Sequence, residues 1–168
     1  MGIVRNILLI ALALLLQTSW VHKIAIFGIT PDLVLLVLVY IGISGGQIEG
    51  TAFGFISGFL LDVYDPEAMG INTLTNSIVG FAVGYSRIGV AAEELRVQAL
   101  LLFLAGMLHD LIYFTLYSIA TPQPILSSVL RYGLGTAFYT ACVGAGFSLL
   151  LSVRLNKRVR LSARRLHG

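Results

Sequence analysis

The sequence predicts an all-α fold, a polytopic membrane protein with six transmembrane helices. Three observations lead there. The 168-residue chain is 57% hydrophobic and only 11% charged, whereas roughly a quarter of the residues in soluble domains are charged. In water, so short a chain has too little volume for its surface to hide that much apolar area. Second, six apolar stretches follow one another with only short connections. Third, the cations are gathered: Arg154, Lys157, Arg158, Arg160, Arg164 and Arg165 all fall in the last fifteen residues.

In lipid each spanning segment must close its own backbone hydrogen bonds, so each stretch is read as a helix. A straight crossing takes about 20 residues. The first stretch runs from Val4 to Val21, with Trp20 as an interfacial anchor. Its start could be mistaken for a secretory signal, but "QTSWVHK" lacks the small-residue cleavage pattern, so it is expected to be retained. The second runs from Asp32 to Ser44, after the short apolar piece Ile24–Ile29, and is short for a full crossing. The third is Gln47–Tyr64, the fourth Asn72–Ser86, the fifth Val97–Ile119 and the sixth Leu126–Val153. Residues 1–153 are thus expected to form one transmembrane domain, and residues 154–168 a basic cytoplasmic tail.

Six crossings put both termini on one side. Arg5, Arg87, Arg96 and the basic tail share that side, against Lys23 and the acidic Asp32, Asp65 and Glu67 on the other. The positive-inside rule then makes both termini cytoplasmic. A five-span chain would instead put Arg5 opposite the tail. The tail interleaves leucine and valine with cations, which suits an anionic leaflet of the lipid bilayer. No nucleic-acid partner is expected.

The densest pattern lies in "GTAFGFISGFLLDVYDPEAMGIN", residues 50–72. Gly46, Gly50, Gly54 and Gly58 are spaced by four, and Asp62 continues the series. Each step of four rotates about 40° past a full turn, so the glycines form one winding stripe. Small residues at this spacing let helix backbones approach closely in lipid. Gly80 and Gly84 repeat the pattern on the fourth stretch, and Ala141, Gly144, Ala145 and Gly146 do something similar on the sixth. Two readings stay open: packing within the chain's own bundle, or a docking face for another helix, including a second copy in a homodimer.

Ionisable residues at membrane depth are functional candidates. Glu49 stands near the cytoplasmic end of its helix, within reach of water. Asp32 follows Pro31 at a helix start, where a carboxylate caps the first turn. Asp32, Asp62, Asn72 and Arg131 fall in the outer half, with His109 and Asp110 deeper. Asp110 and Asp62 are the carboxylates available to Arg131. A polar, outward-opening pocket or an ion-pair network is expected among these six residues. Neighbours on a helix point about 100° apart, so His109 and Asp110 are not expected to form one site.

Catalysis finds no support in the sequence. There is no nucleophile elbow, P-loop, Cys-x-x-Cys or zinc-protease motif. Three scattered histidines and the single Cys142 supply no metal site. No catalytic residue, cofactor or metal is expected.

The order of motifs adds something that composition does not. Pro31-Asp32-Leu33 opens an apolar helix carrying Tyr40. A glycine-rich helix with Gly50, Gly54 and Gly58 then ends in Leu61-Asp62. Pro66 and Gly70-Ile71-Asn72 follow, and then a helix carrying Gly80 and Gly84. This succession resembles the rod shape-determining MreD family. The resemblance implies a non-enzymatic subunit of the bacterial cell-elongation machinery in the cytoplasmic (inner) membrane. It also implies binding to the single-span protein MreC, and through it a link from MreB filaments to the peptidoglycan synthase pair, RodA and a class B penicillin-binding protein. A further likeness, to the six-helix substrate-binding subunits of energy-coupling-factor transporters, suits an outward pocket. The alternative function is therefore capture of a small, vitamin-type substrate for transport.

Overall fold

The computed structural model describes residues 2–19, 23, 25, 29–66, 69–86, 95–120 and 133–146. Trp20, Glu67, Arg87, Arg131, the two ends of the expected sixth stretch and the basic tail lie outside the described residues, as does the side chain of Arg96. Among the described residues the fold is all-α, with six helices. They are α1 (Gly2–Ser19), α2 (Leu33–Gly45), α3 (Gln47–Tyr64), α4 (Ile71–Ser86), α5 (Leu95–Ala120) and α6 (133–146).

The helices alternate in direction. Asn6 of α1 meets Glu49 of α3 at one end, and Gln17 of α1 meets Leu33 of α2 at the other. Gly58 faces Asn72, while Gly84 faces Gln47, so α3 and α4 run antiparallel. Asp110 faces Gly133 and Leu102 faces Gly144, so α5 and α6 do the same. The end holding Asp32, Asp62 and Gly70 is called the upper end below, and the end holding Arg5, Gly46 and Glu49 the lower end.

α2 is the central element. Its sequence, LVLLVLVYIGISG, is apolar all round, and such a helix belongs inside a bundle. Val34, Leu38 and Ile41 are fully buried, and α2 touches α1, α3, α4 and α5. Its 13 residues make it short for a crossing, whereas Gly2–Ser19 and Val97–Ile119 are long and apolar enough to span on their own. α3 and α4 are less apolar because close packing replaces bulk with Gly, Ser, Thr and Asn.

Two apolar layers hold the bundle. One joins Leu35 and Val39 of α2 to Val79 and Val83 of α4, Leu102 and Ala105 of α5, and Ala141 of α6. The other joins Ile10 of α1 to Leu38 and Ile41 of α2 and Phe53 of α3. Outside them, Phe55, Phe59, Leu60, Phe81, Leu100, Leu104 and Leu111 are exposed. So much contiguous apolar surface is untenable in water and is the surface a bilayer covers.

α3 and α4 form the tightest pair. A Cβ added at Gly50, Gly54 or Gly58 would lie within 3.0 Å of the α4 backbone at Gly80, Asn76 and Asn72 respectively. Gly80 meets Gly50, and Gly84 meets Gln47, in the same way. The stripe is filled by α4 of the same chain. Gly46, at φ 83°, ends α2 and starts α3 in one residue, donating its N–H to the Gly42 carbonyl at 2.9 Å. Such a backbone is strained for any residue with a Cβ.

Candidate functional site within the upper half of the bundle

Asp62 is fully buried, in the last turn of α3. Its carboxylate accepts from the backbone N–H of Asn72 at 3.0 Å, the N–H of Thr73 at 2.9 Å and the Thr73 hydroxyl. These are donors of the first turn of α4. Gly70, at φ 90°, precedes α4, and its carbonyl accepts from Leu74 N–H at 3.0 Å. Gly70 therefore stands where a Ser or Asp side chain usually caps a helix, and it has none to offer. The neighbouring helix supplies the cap instead. A carboxylate there also meets the positive end of the helix dipole. Leu61-Asp62 and Gly70-Ile71-Asn72 are thus two halves of one device. Asn72 takes part through its backbone, donating to Asp62 and lying against Gly58.

Asp32 caps α2, its Oδ1 accepting from Leu35 N–H at 2.8 Å. Two further donors at this helix start are satisfied from elsewhere. Asp32 N–H bonds the Thr140 hydroxyl of α6 at 2.8 Å, and Leu33 N–H bonds Gln17 Oε1 of α1 at 2.9 Å. Sequence reasoning missed Gln17 and Thr140. A polar residue inside an apolar helix was the available signal.

The expectation that His109 and Asp110 stand apart is corrected. Both are buried, and His109 Nδ1 lies 3.0 Å from Asp110 Oδ1. Their Cβ atoms do diverge, but both side chains are enclosed in the bundle and lean together, because neither has water to reach. His109 stacks on Tyr113 at 6.0 Å, and Tyr113 on Tyr117 at 5.9 Å, a ladder climbing α5 toward the upper end. Asp32 lies within electrostatic reach of both His109 and Asp110. One turn above the Leu35–Val79–Ala105 layer, helical register sets Asp32, Thr75 and His109 at one level. Three buried oxygens of this half, Thr75 Oγ1, Asn76 Oδ1 and Asp110 Oδ2, have no hydrogen-bond partner among the described residues.

The six candidates therefore divide. Asp62 and Asn72 build the α3–α4 turn. Asp32, His109 and Asp110 gather between α2, α5 and α6. Arg131 lies outside the described residues. Among the described residues no group of acidic, histidine or cysteine side chains could hold a metal ion.

The lower end holds a polar contact of its own. Asn6, at 1% exposure, donates to Glu49 Oε2 at 3.2 Å, so Glu49 has an internal partner as well as a way to water. Arg5 reaches Asn6 Oδ1 at 3.5 Å and lies over the Tyr40 ring, 5.7 Å from its centre. On the outward faces of α3 and α4, Phe55, Ile56, Phe59, Met69 and Leu74 line an open groove of about 810 Å³.

The sequence model of the rod shape-determining protein MreD family matches residues 2–140. The chain belongs to the MreD family. The match runs from α1 through α5 into α6, so it includes the Asp62–Gly70 device and the His109–Asp110 pair alike. Membership makes the chain a bacterial membrane protein of the cell-shape machinery. No solved structure matches.

Proposed function

We propose that this chain is a non-enzymatic scaffold subunit of the cell-elongation complex. In this reading it binds an MreC-like single-span membrane protein and helps couple MreB filaments to RodA and a class B penicillin-binding protein. The family match over residues 2–140 carries the reading. The geometry supports it in two ways. The glycines serve the chain's own hairpin, which makes a rigid body, and the exposed apolar faces of α1, α3 and α5 remain for lipid and partner helices. Six alternating helices, with both termini on the cytoplasmic side, complete the topology proposed. The same topology suits a likeness to the substrate-binding subunits of energy-coupling-factor transporters, but no observation favours substrate capture.

The test is a pull-down from native membranes with identification of what comes along. An MreC-like protein is expected in the eluate, and depletion of the chain is expected to cost the cell its rod shape. Cells that keep their shape, with no such partner recovered, would reject the proposal.

A further inference from the structure

α1 meets the rest of the bundle along one narrow strip. Of its eighteen residues only Asn6, Ile10 and Ala13 are buried. With Gln17 they follow at intervals of four, three and four, which sets all four on one helix face. Ile7, Leu8, Leu12 and Leu15, on the other faces, are exposed. Within the strip, Ile10 packs with Leu38 and Ile41 of α2 and Phe53 of α3. Lipid tails are as apolar as these side chains, so such packing alone gives a helix little reason to leave lipid for the bundle.

The other helices are joined in ways that α1 lacks. α3 and α4 touch backbone to backbone through their glycines. The one glycine of α1, Gly2, has nothing within 4 Å of an added Cβ among the described residues. The Leu35–Val79–Ala105 layer joins α2, α4, α5 and α6 without a residue of α1.

What holds α1 is polar and stands at the two ends of its strip. Asn6 donates to Glu49 Oε2 at 3.2 Å, and Gln17 Oε1 accepts from Leu33 N–H at 2.9 Å. The two side chains are 11 residues apart, about 16 Å along the helix. Each such bond between membrane helices shifts their association by roughly three- to tenfold. Arg5 adds a contact with the Tyr40 ring, which is 46% exposed, and a cation–π contact is weakest at an exposed site.

We propose that α1 is a strap laid over the Leu38–Ile41–Phe53 layer, fastened by two polar clasps, Asn6–Glu49 and Gln17–Leu33. Opening both clasps releases it while α2 to α6 stay assembled. Either clasp alone keeps the strap in place, because the helix between them is one rigid rod.

The experiment measures distances between spin labels on the full-length protein in lipid, with Cys142→Ser to clear the native thiol. One pair of labels, at Leu12→Cys of α1 and Leu104→Cys of α5, reports the strap. A control pair, at Phe59→Cys of α3 and Leu104→Cys, reports the rest of the bundle. All three labelled positions are exposed, so the labels leave the core intact. Asn6→Leu and Gln17→Leu are each expected to keep the single narrow strap distance of the parent. The double variant is expected to place at least half of the molecules at longer, broader strap distances, with the control pair unchanged. A double variant that keeps the parent strap distance overturns the proposal, because packing alone then holds α1. One whose control pair also broadens, or that yields no folded protein, overturns it too, because α1 then belongs to the body it was held to cover.

Discussion

Asp62 and Asp110 are both buried carboxylates inside the helix bundle, yet their surroundings differ sharply. Asp62 meets two backbone N–H groups and a hydroxyl at the start of α4. Asp110 meets one imidazole, and its other oxygen has no partner among the described residues. Depth alone does not set the cost of a buried charge; the nearest free N–H groups do. A helix start lends its donors to a neighbour's carboxylate, whereas a mid-helix carboxylate must find its partner among side chains. The α3–α4 hairpin accordingly closes on its own donors, whereas the α2–α5–α6 region keeps a buried carboxylate oxygen with no partner among the described residues.

Changes that strike the hairpin should have the largest effect. Gly80→Leu would force a side chain into the Gly50 carbonyl, so no folded protein is expected in detergent extracts. A folded, monodisperse variant would show that α3 and α4 can part without loss.

Next comes the charge in the turn. Asp62→Ala removes three acceptor contacts and strands the donors of α4, at a cost of about 4 kcal/mol. Chemical denaturation measures it. A cost near that of an ordinary surface substitution would erase the contrast with Asp110.

The smallest effect sharpens the same comparison. Among the described residues, Gly146 has nothing within 4 Å of an added Cβ. Gly146→Ala is expected to leave stability unchanged or raise it by up to about 1 kcal/mol, since alanine favours helix. Thermal melting of this variant separates glycines that permit contact from those that only interrupt a side-chain row. A loss of several degrees would place an unseen neighbour at that position.

What was legible in the sequence was local. Spacing by four set Gly50, Gly54 and Gly58 on one stripe, because helical pitch is a property of the chain alone. Asp32 was readable as a cap because the donor it meets, Leu35 N–H, lies three residues on. The lipid setting followed from composition. The roles of Gln17 and Thr140 were hidden, since their partners are 16 and 108 residues away.

By itself, then, the sequence determined the solvent, the helices and the faces they carry. Each of these depends on pitch, propensity and transfer to lipid, which act within a segment. Only the tertiary structure decided what lies across each face. It put α4 on the glycine stripe, turned Asp62 into the cap that Gly70 lacks, and leaned His109 onto Asp110 where helical geometry alone sent them apart. Those outcomes depend on which helix start or side chain lies nearby in space, and that is set when the whole bundle closes.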